Sequence, residues 1–183
     1  MQEGPFKRVN FFEGQLLTES DLRDEQEYHN GKRKMLNRCR YGSGVLCGLE
    51  VIVTGRSVLV KPGLALDCYG REIYVAEPTK IEQSAERRPM YLLAEYYEYE
   101  SDPIPGISDT ESGEQIQYSR VTEGAKLSWS AENPMDRHQH QDRRWISCGD
   151  DHPVPLALVT QERGRLQVDK EFAKTVNQAI SDC

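Results

Sequence analysis

No apolar run in this 183-residue chain approaches the roughly 20 residues needed to cross a bilayer as a helix. The opening Met1-Gln2-Glu3-Gly4-Pro5-Phe6-Lys7 has no apolar signal region, so the expectation is a protein made and assembled in the cytoplasm, with no signal peptide. Cysteine is present but unpaired in pattern: Cys39, Cys47, Cys68, Cys148 and Cys183 are odd in number, irregularly spaced and contain no CxxC. That argues against a disulfide framework and for reduced, mostly buried thiols. Basic residues are in deficit, 23 Lys and Arg against 30 Asp and Glu, which excludes a general basic face for nucleic acid. No repeat, low-complexity tract or Gly-x-Ser-x-Gly elbow occurs.

What is present suits one domain with an appended arm: 37 % apolar and 29 % charged residues in 21.0 kDa. The net charge of −7 is local. Residues 95–123 hold eight acids (Glu95, Glu98, Glu100, Asp102, Asp109, Glu111, Glu114, Glu123) and one base, Arg120, while the rest of the chain is neutral.

The pattern divides into a docking arm and helix (1–44), a β-rich domain (45–168) and a C-terminal helix (169–183). Thr18 with Asp21 makes a capping box for a helix over about Glu19–Arg40, acidic first and basic last as the helix dipole prefers. Its apolar stripe is thin (Leu22, Tyr28, Met35, Leu36, Cys39), so it is either a solvated lever or packs on another subunit. Val45–Val53 alternates as one strand, and Gly-bearing turns then separate Ser57–Val60, Leu64–Leu66 and Glu72–Val75. Further strands are expected at Met90–Tyr99 and Tyr118–Trp129, and Asp102-Pro103-Ile104-Pro105-Gly106 is expected to end any regular element. Loops are predicted at about 101–117, mobile over Ser108–Gln115, and at 131–152. A hairpin at Leu156–Val168 leads to a helix capped by Asp169, with Phe172, Val176 and Ile180 on one side. The fold class predicted is mainly β, a sandwich or barrel-like domain with a long N-terminal and a short C-terminal helix.

Several motifs invite chemistry. Gly42-Ser43-Gly44-Val45-Leu46-Cys47-Gly48 is glycine-rich, but it follows a helix and precedes a strand, the reverse of a phosphate loop. A helix stop is the better account. Asp136, His138, His140 and Cys148, with Asp142 and His152 nearby, have donor types that suit zinc, although a solvated loop is the commoner explanation. Nothing in the spacing brings His29 to Cys47 or Cys68 as a nucleophile pair. The tyrosine strand (Tyr91, Tyr96, Tyr97, Tyr99) has acidic neighbours, which argues against base stacking and for core packing or a protein interface.

An ordered series runs through residues 9–75: Phe12-x-Gly14-x-Leu16-Leu17, Asp21-Leu22, Gln26-x-Tyr28-His29, Asn37-Arg38, Gly42-x-Gly44-Val45-x-Cys47-Gly48-Leu49-x-Val51, and Val60-x-Pro62-Gly63-x-Ala65-x-Asp67-x2-Gly70-Arg71-Glu72-Ile73. It resembles a family of baseplate-associated proteins of extracellular contractile injection systems, the phage-tail-like particles of bacteria. Ser119-Arg120-Val121 and Pro155–Val159 resemble the same family less distinctively. Phe12–Gln26 is similar to the amino-terminal part of the type VI secretion baseplate subunit, itself similar to phage receptor-binding-protein shoulder domains. The resemblance implies a structural protein rather than an enzyme, a β-sandwich assembling as a homo-oligomer such as a trimer, without cofactor. It implies docking on other baseplate proteins through Phe11, Phe12, Gly14, Gln15 and Leu16, with Leu22 and Tyr28 on the helix. Receptor-binding proteins continue into a distal domain where this chain ends, which favours an adaptor, fibre base or anchor. In a homo-oligomer, like-charged copies of the acidic edge are expected to lie apart. Two other readings compete: a small metal-dependent enzyme built on the Asp136–Cys148 cluster, and a cytosolic module binding a basic peptide on the tyrosine strand.

Overall fold

A computed structural model describes residues 6–83, 88–105, 116–137, 152–162 and 164–177. Helix α1 spans Glu19–Arg40, the expected bounds. The capping box forms: the Asp21 amide donates to Thr18 Oγ1 at 3.3 Å, and the Thr18 amide donates to Asp21 Oδ2 at 2.9 Å. The helix ends at Tyr41, and the Gly42 amide closes the last turn on the Arg38 carbonyl at 3.1 Å. The glycine-rich motif is therefore a helix stop leading directly into strand β1 (Gly44–Gly48).

The strand predicted over Val45–Val53 is broken, and the break organises the domain. Gly48 (φ 64°) and Leu49 (φ 56°) both adopt left-handed backbone, so the chain turns a corner between β1 and β2 (Val51–Thr54). A side chain at Gly48 would have its Cβ 2.2 Å from the Pro62 carbonyl oxygen, so only glycine fits. The returning chain bends at the same level, between β3 (Ser57–Val60) and β4 (Gly63–Leu66). The Leu49 amide donates to the Pro62 carbonyl at 3.2 Å and the Lys61 amide to the Glu50 carbonyl at 2.9 Å, which carries the ladder round the bend. The third pass bends between β5 (Glu72–Val75) and β6 (Thr79–Glu82), the latter a strand that the sequence pattern did not predict. One three-stranded meander thus contributes to two antiparallel sheets, β1-β4-β5 and β2-β3-β6, the corner device by which strands pass from one sheet to another.

The remaining sheet is antiparallel in the order β10-β9-β7-β8, built from β7 (Met90–Pro105), β8 (Ile116–Ser130), β9 (Val154–Glu162) and β10 (Arg165–Val168). The core is shared between this sheet and the meander: Val58, Val60, Ala65, Ile73, Leu92 and Ala94 are fully buried, with Leu156 and Val159 against them. Asp169 caps α2 (Lys170–Asn177) as predicted, accepting from the Glu171 and Phe172 amides at 2.9 and 3.0 Å. The predicted loop at 101–117 is corrected in part. β7 runs on through Pro103 and Pro105, paired with Tyr118 and Ile116 of β8. Among the described residues β9 accompanies β7 only over Met90–Ala94, so the outer edge of the later part serves no ladder and tolerates residues that cannot donate. Ser108–Gln115 and Ile180 lie outside the described residues. No helix among them is long and apolar enough to cross a membrane.

Candidate docking surface

Helix α1 is held to the β domain by its last two turns. Asp67, 1 % exposed, accepts from the amides of Tyr69 and Arg71, both at 2.9 Å, and from Arg71 Nε at 2.5 Å, which fixes the turn before β5. Onto that turn Asn37 donates to the Gly70 carbonyl at 2.9 Å and to Glu72 at 2.7 Å. Buried Arg38 donates to the Tyr69 carbonyl at 2.6 Å, and burial lowers its guanidinium pKa. Arg33 reaches Glu72 at 3.2 Å. Gly70 (φ 78°) lies so close beneath the helix that an added Cβ would stand 2.2 Å from the Lys34 carbonyl oxygen. Every residue of this joint except Arg33, Lys34 and Tyr69 belongs to the ordered series noted in the sequence.

The other end of the helix and the arm before it present apolar side chains outward. Phe6 turns back onto the helix, its ring against Gly31 and edge-on to Tyr28 at 6.3 Å. Phe12 to Gln15 make a tight turn, with Gly14 at φ 82°, the Gln15 amide donating to the Phe12 carbonyl at 3.2 Å and the Phe12 amide to Gln15 Oε1 at 3.3 Å. The turn throws Phe11 and Phe12 outward, 52 % and 66 % exposed, beside Leu16 at 85 % and ahead of Leu22 at 56 %. Gln15 and Tyr28 are half-buried. The seven predicted docking residues thus occupy one continuous stretch of arm and helix. Surface leucines occur singly on many proteins, but a run of bulky apolar residues on a short arm is a mark of an interaction site.

Two further features sit elsewhere. Past Ala94, β7 and β8 continue as a two-stranded ribbon. Tyr97 and Tyr99 are about half exposed and stacked at 5.7 Å, so more than their phenol tips reaches the surface and the expected core packing does not extend to them. Tyr91 does pack inward, on Phe172 at 5.4 Å. Tyr96 lies under the Arg71 guanidinium at 4.7 Å, and its hydroxyl lies 2.8 Å from Glu98 and 3.0 Å from Glu123. Burial first, then these two carboxylates, push its phenol pKa well up.

Candidate chemistry is not assembled among the described residues. Asp136 sits in a 3-10 turn (Pro134–Arg137), within 3.3 Å of Asn133 Nδ2. His138, His140 and Cys148 lie outside the described residues, and within them no three His, Cys, Asp or Glu gather as a metal site. His29 pairs with Glu25 one turn earlier, at 3.0 Å. Cys39, Cys47 and Cys68 form no disulfide among the described residues; Cys68 is buried, but Cys39 is exposed, against the expectation of mostly buried cysteines. The signal missed was position: Cys39 follows Arg38, the residue that faces inward, and so points away.

No known protein family and no curated protein matches the chain. Solved structures do match its fold. The crystal structure of TssK is similar with a TM-score of 0.52 at 12 % identity, over 90 % of this chain and 41 % of that one. A chain of the TssK-TssF-TssG baseplate subcomplex of the type VI secretion system, seen by cryo-electron microscopy, is similar with a TM-score of 0.52 at 10 % identity, over 90 % of this chain and 60 % of that one. The chain therefore spans between two and three fifths of these neighbours' length, and at such identities the likeness is one of fold.

Proposed function

We propose that this protein is a structural subunit at the baseplate periphery of a phage-tail-like contractile injection system, an adaptor, fibre base or anchor rather than an enzyme. The observation that carries the reading is the exposed apolar arm, Phe11, Phe12, Leu16 and Leu22, projected from a β domain by a helix locked at its far end. A capped helix of 22 residues is about 33 Å long. Clamped at Asn37 and Arg38, it sets the arm at a defined distance from the domain, as a mechanical connector requires. The fold likeness to a type VI secretion baseplate component supports the same class of partner: other baseplate proteins. The bent meander over a four-stranded sheet is read as a sandwich-like rigid body, assembled in the cytoplasm as a homo-oligomer, for which a trimer is the expected form.

Docking on the arm is hydrophobic. Each of Phe12 and Leu16 contributes about 1.5–3 kcal/mol if fully covered by the partner. The test is deletion of residues 1–17, or the double variant Phe12→Ala/Leu16→Ala, in cells that make the particle. The protein should fold with an unchanged circular dichroism spectrum and be missing from purified particles. Particles that contain the truncated protein at normal stoichiometry overturn the reading.

A further inference from the structure

The ribbon supplies a second surface, independent of the arm. Two strands alone are marginal in water, so the outer part of the ribbon, which no other strand among the described residues joins, calls for cover. Opposite residues share a face in an antiparallel ladder, and along each strand so does every second residue. One face therefore carries Glu98 opposite Glu123 and Glu100 opposite Val121. Val121 is 61 % exposed at the centre of these carboxylates. The bases of the ribbon, Arg120 and Lys126, stand opposite Ser101 and Glu95 on the other face. Like charges set directly opposite destabilise a ladder, and among the described residues the Tyr96 hydroxyl, on a ring that lies under the Arg71 guanidinium, is what bonds Glu98 and Glu123.

The complementary surface is on the same chain. Lys32, Leu36 and Arg40 follow one another at i, i+4 and i+8 of α1 and are all exposed, Leu36 by 61 %. They form a stripe about 12 Å long with an apolar centre and a cation at each end. Lys32 lies over the Tyr28 ring at 5.3 Å and Arg40 over the Tyr41 ring at 5.5 Å, contacts that leave N–H donors for a partner. The residues that bind the helix to its own domain are Arg33, Asn37 and Arg38, so the stripe is not consumed by the fold. Among the described residues no ion pair joins ribbon and stripe within one chain.

We infer that the acidic face of the ribbon docks on the Lys32–Leu36–Arg40 stripe of a second copy of this chain, with Val121 against Leu36 and the carboxylates on the two cations. The contact is head-to-tail, each copy offering its ribbon to one neighbour and its helix to the other, so it closes into a ring or extends. It also keeps the acidic ribbons of neighbouring copies apart.

Light scattering on the eluting protein tests this. At about 0.05 M salt the mass is expected to be two or more times that of one chain, falling toward one chain at about 0.5 M as screening shortens the reach of the charges. Lys32→Glu/Arg40→Glu alone, and Glu98→Lys/Glu100→Lys/Glu123→Lys alone, are each expected to be monomeric, and the chain with all five changes to associate again. Should the lysine set disturb the ribbon, Glu98→Gln/Glu100→Gln/Glu123→Gln removes the charge at the same shape and should abolish the salt dependence. A monomer at every salt concentration, or association unmoved by either reversal, overturns the proposal and leaves the ribbon to a different, cationic protein. Deletion of residues 1–17 should leave this association intact, so failure here and failure of the docking arm are separate results.

Discussion

Gly70 and Asp67 decide how the helix meets the domain. Gly70→Ala forces both a left-handed alanine and a Cβ into the Lys34 carbonyl, so about 2–4 kcal/mol of stability is expected to be lost. Gly55→Ala has a similar φ of 66° but open space around it, and should cost about 1–2 kcal/mol. Urea unfolding of the two variants checks the difference; equal losses would mean the helix yields freely. Asp67→Ala removes a buried carboxylate that two amides and a guanidinium donate to, and about 3–5 kcal/mol is expected. At the other end of the helix, Thr18 holds the Asp21 carboxyl below the usual carboxylate range through its hydroxyl and amide. A depressed carboxyl stabilises the fold above its unfolded pKa and loses that contribution as pH falls through the folded one. The first turn of α1 should therefore fray in acid, and Thr18→Ala should raise the Asp21 midpoint measured by NMR.

At the scale of elements, α1 is legible in the sequence because capping is local chemistry: Thr18, Asp21 and the charge order lie within the segment they define. The ribbon was not. Pro103 and Pro105 read as breakers, and they break a strand only where their missing N–H has a partner to fail; at a free edge it has none. The tyrosines divide for the same reason. Tyr91 lies where β9 accompanies the strand and is covered, while Tyr97 and Tyr99 lie past its end. Tyr96 sits at the base of the ribbon, with its pKa raised. A phenol of this kind stabilises the fold below its unfolded pKa, near 10, and the contribution fades as pH rises through the folded value. In a spectroscopic titration, one of the nine tyrosines should resist ionisation at about pH 11 until the protein unfolds. Tyr96→Phe should abolish that resistant group and cost about 1–2 kcal/mol by leaving Glu98 and Glu123 opposed. Simultaneous ionisation of all tyrosines in the folded wild type would contradict this placement.

At the scale of the whole molecule, the core is common property. Val60 and Ile73 of the meander and Leu92 and Val159 of the four-stranded sheet belong to one buried cluster, and Trp129 Nε1 donates to the Glu82 carbonyl at 2.9 Å, tying β8 to β6. The described β domain should therefore unfold as one cooperative unit. Leu92→Ala is expected to lose about 2–5 kcal/mol and to shift the circular dichroism and tryptophan-fluorescence transitions together. Transitions that separate would show that the meander and sheet are independently stable.

The sequence alone determined the local features: where α1 and α2 start, where the helix stops, where most strands lie though not all of their ends, and that the negative charge is gathered in residues 95–123. Each depends on neighbours a few residues apart. Only the tertiary structure decided that Val45–Val53 turns a corner, because the obstacle at Gly48 is the Pro62 carbonyl, fourteen residues on and adjacent only after folding. The same holds for the use of the helix. Its thin apolar stripe left open which face meets what, and the answer came from the Asp67–Arg71 turn, which takes Asn37 and Arg38 and leaves Leu22, Lys32, Leu36 and Arg40 facing outward. Exposure is a property of what the rest of the chain fails to cover, and no spacing along the sequence encodes it.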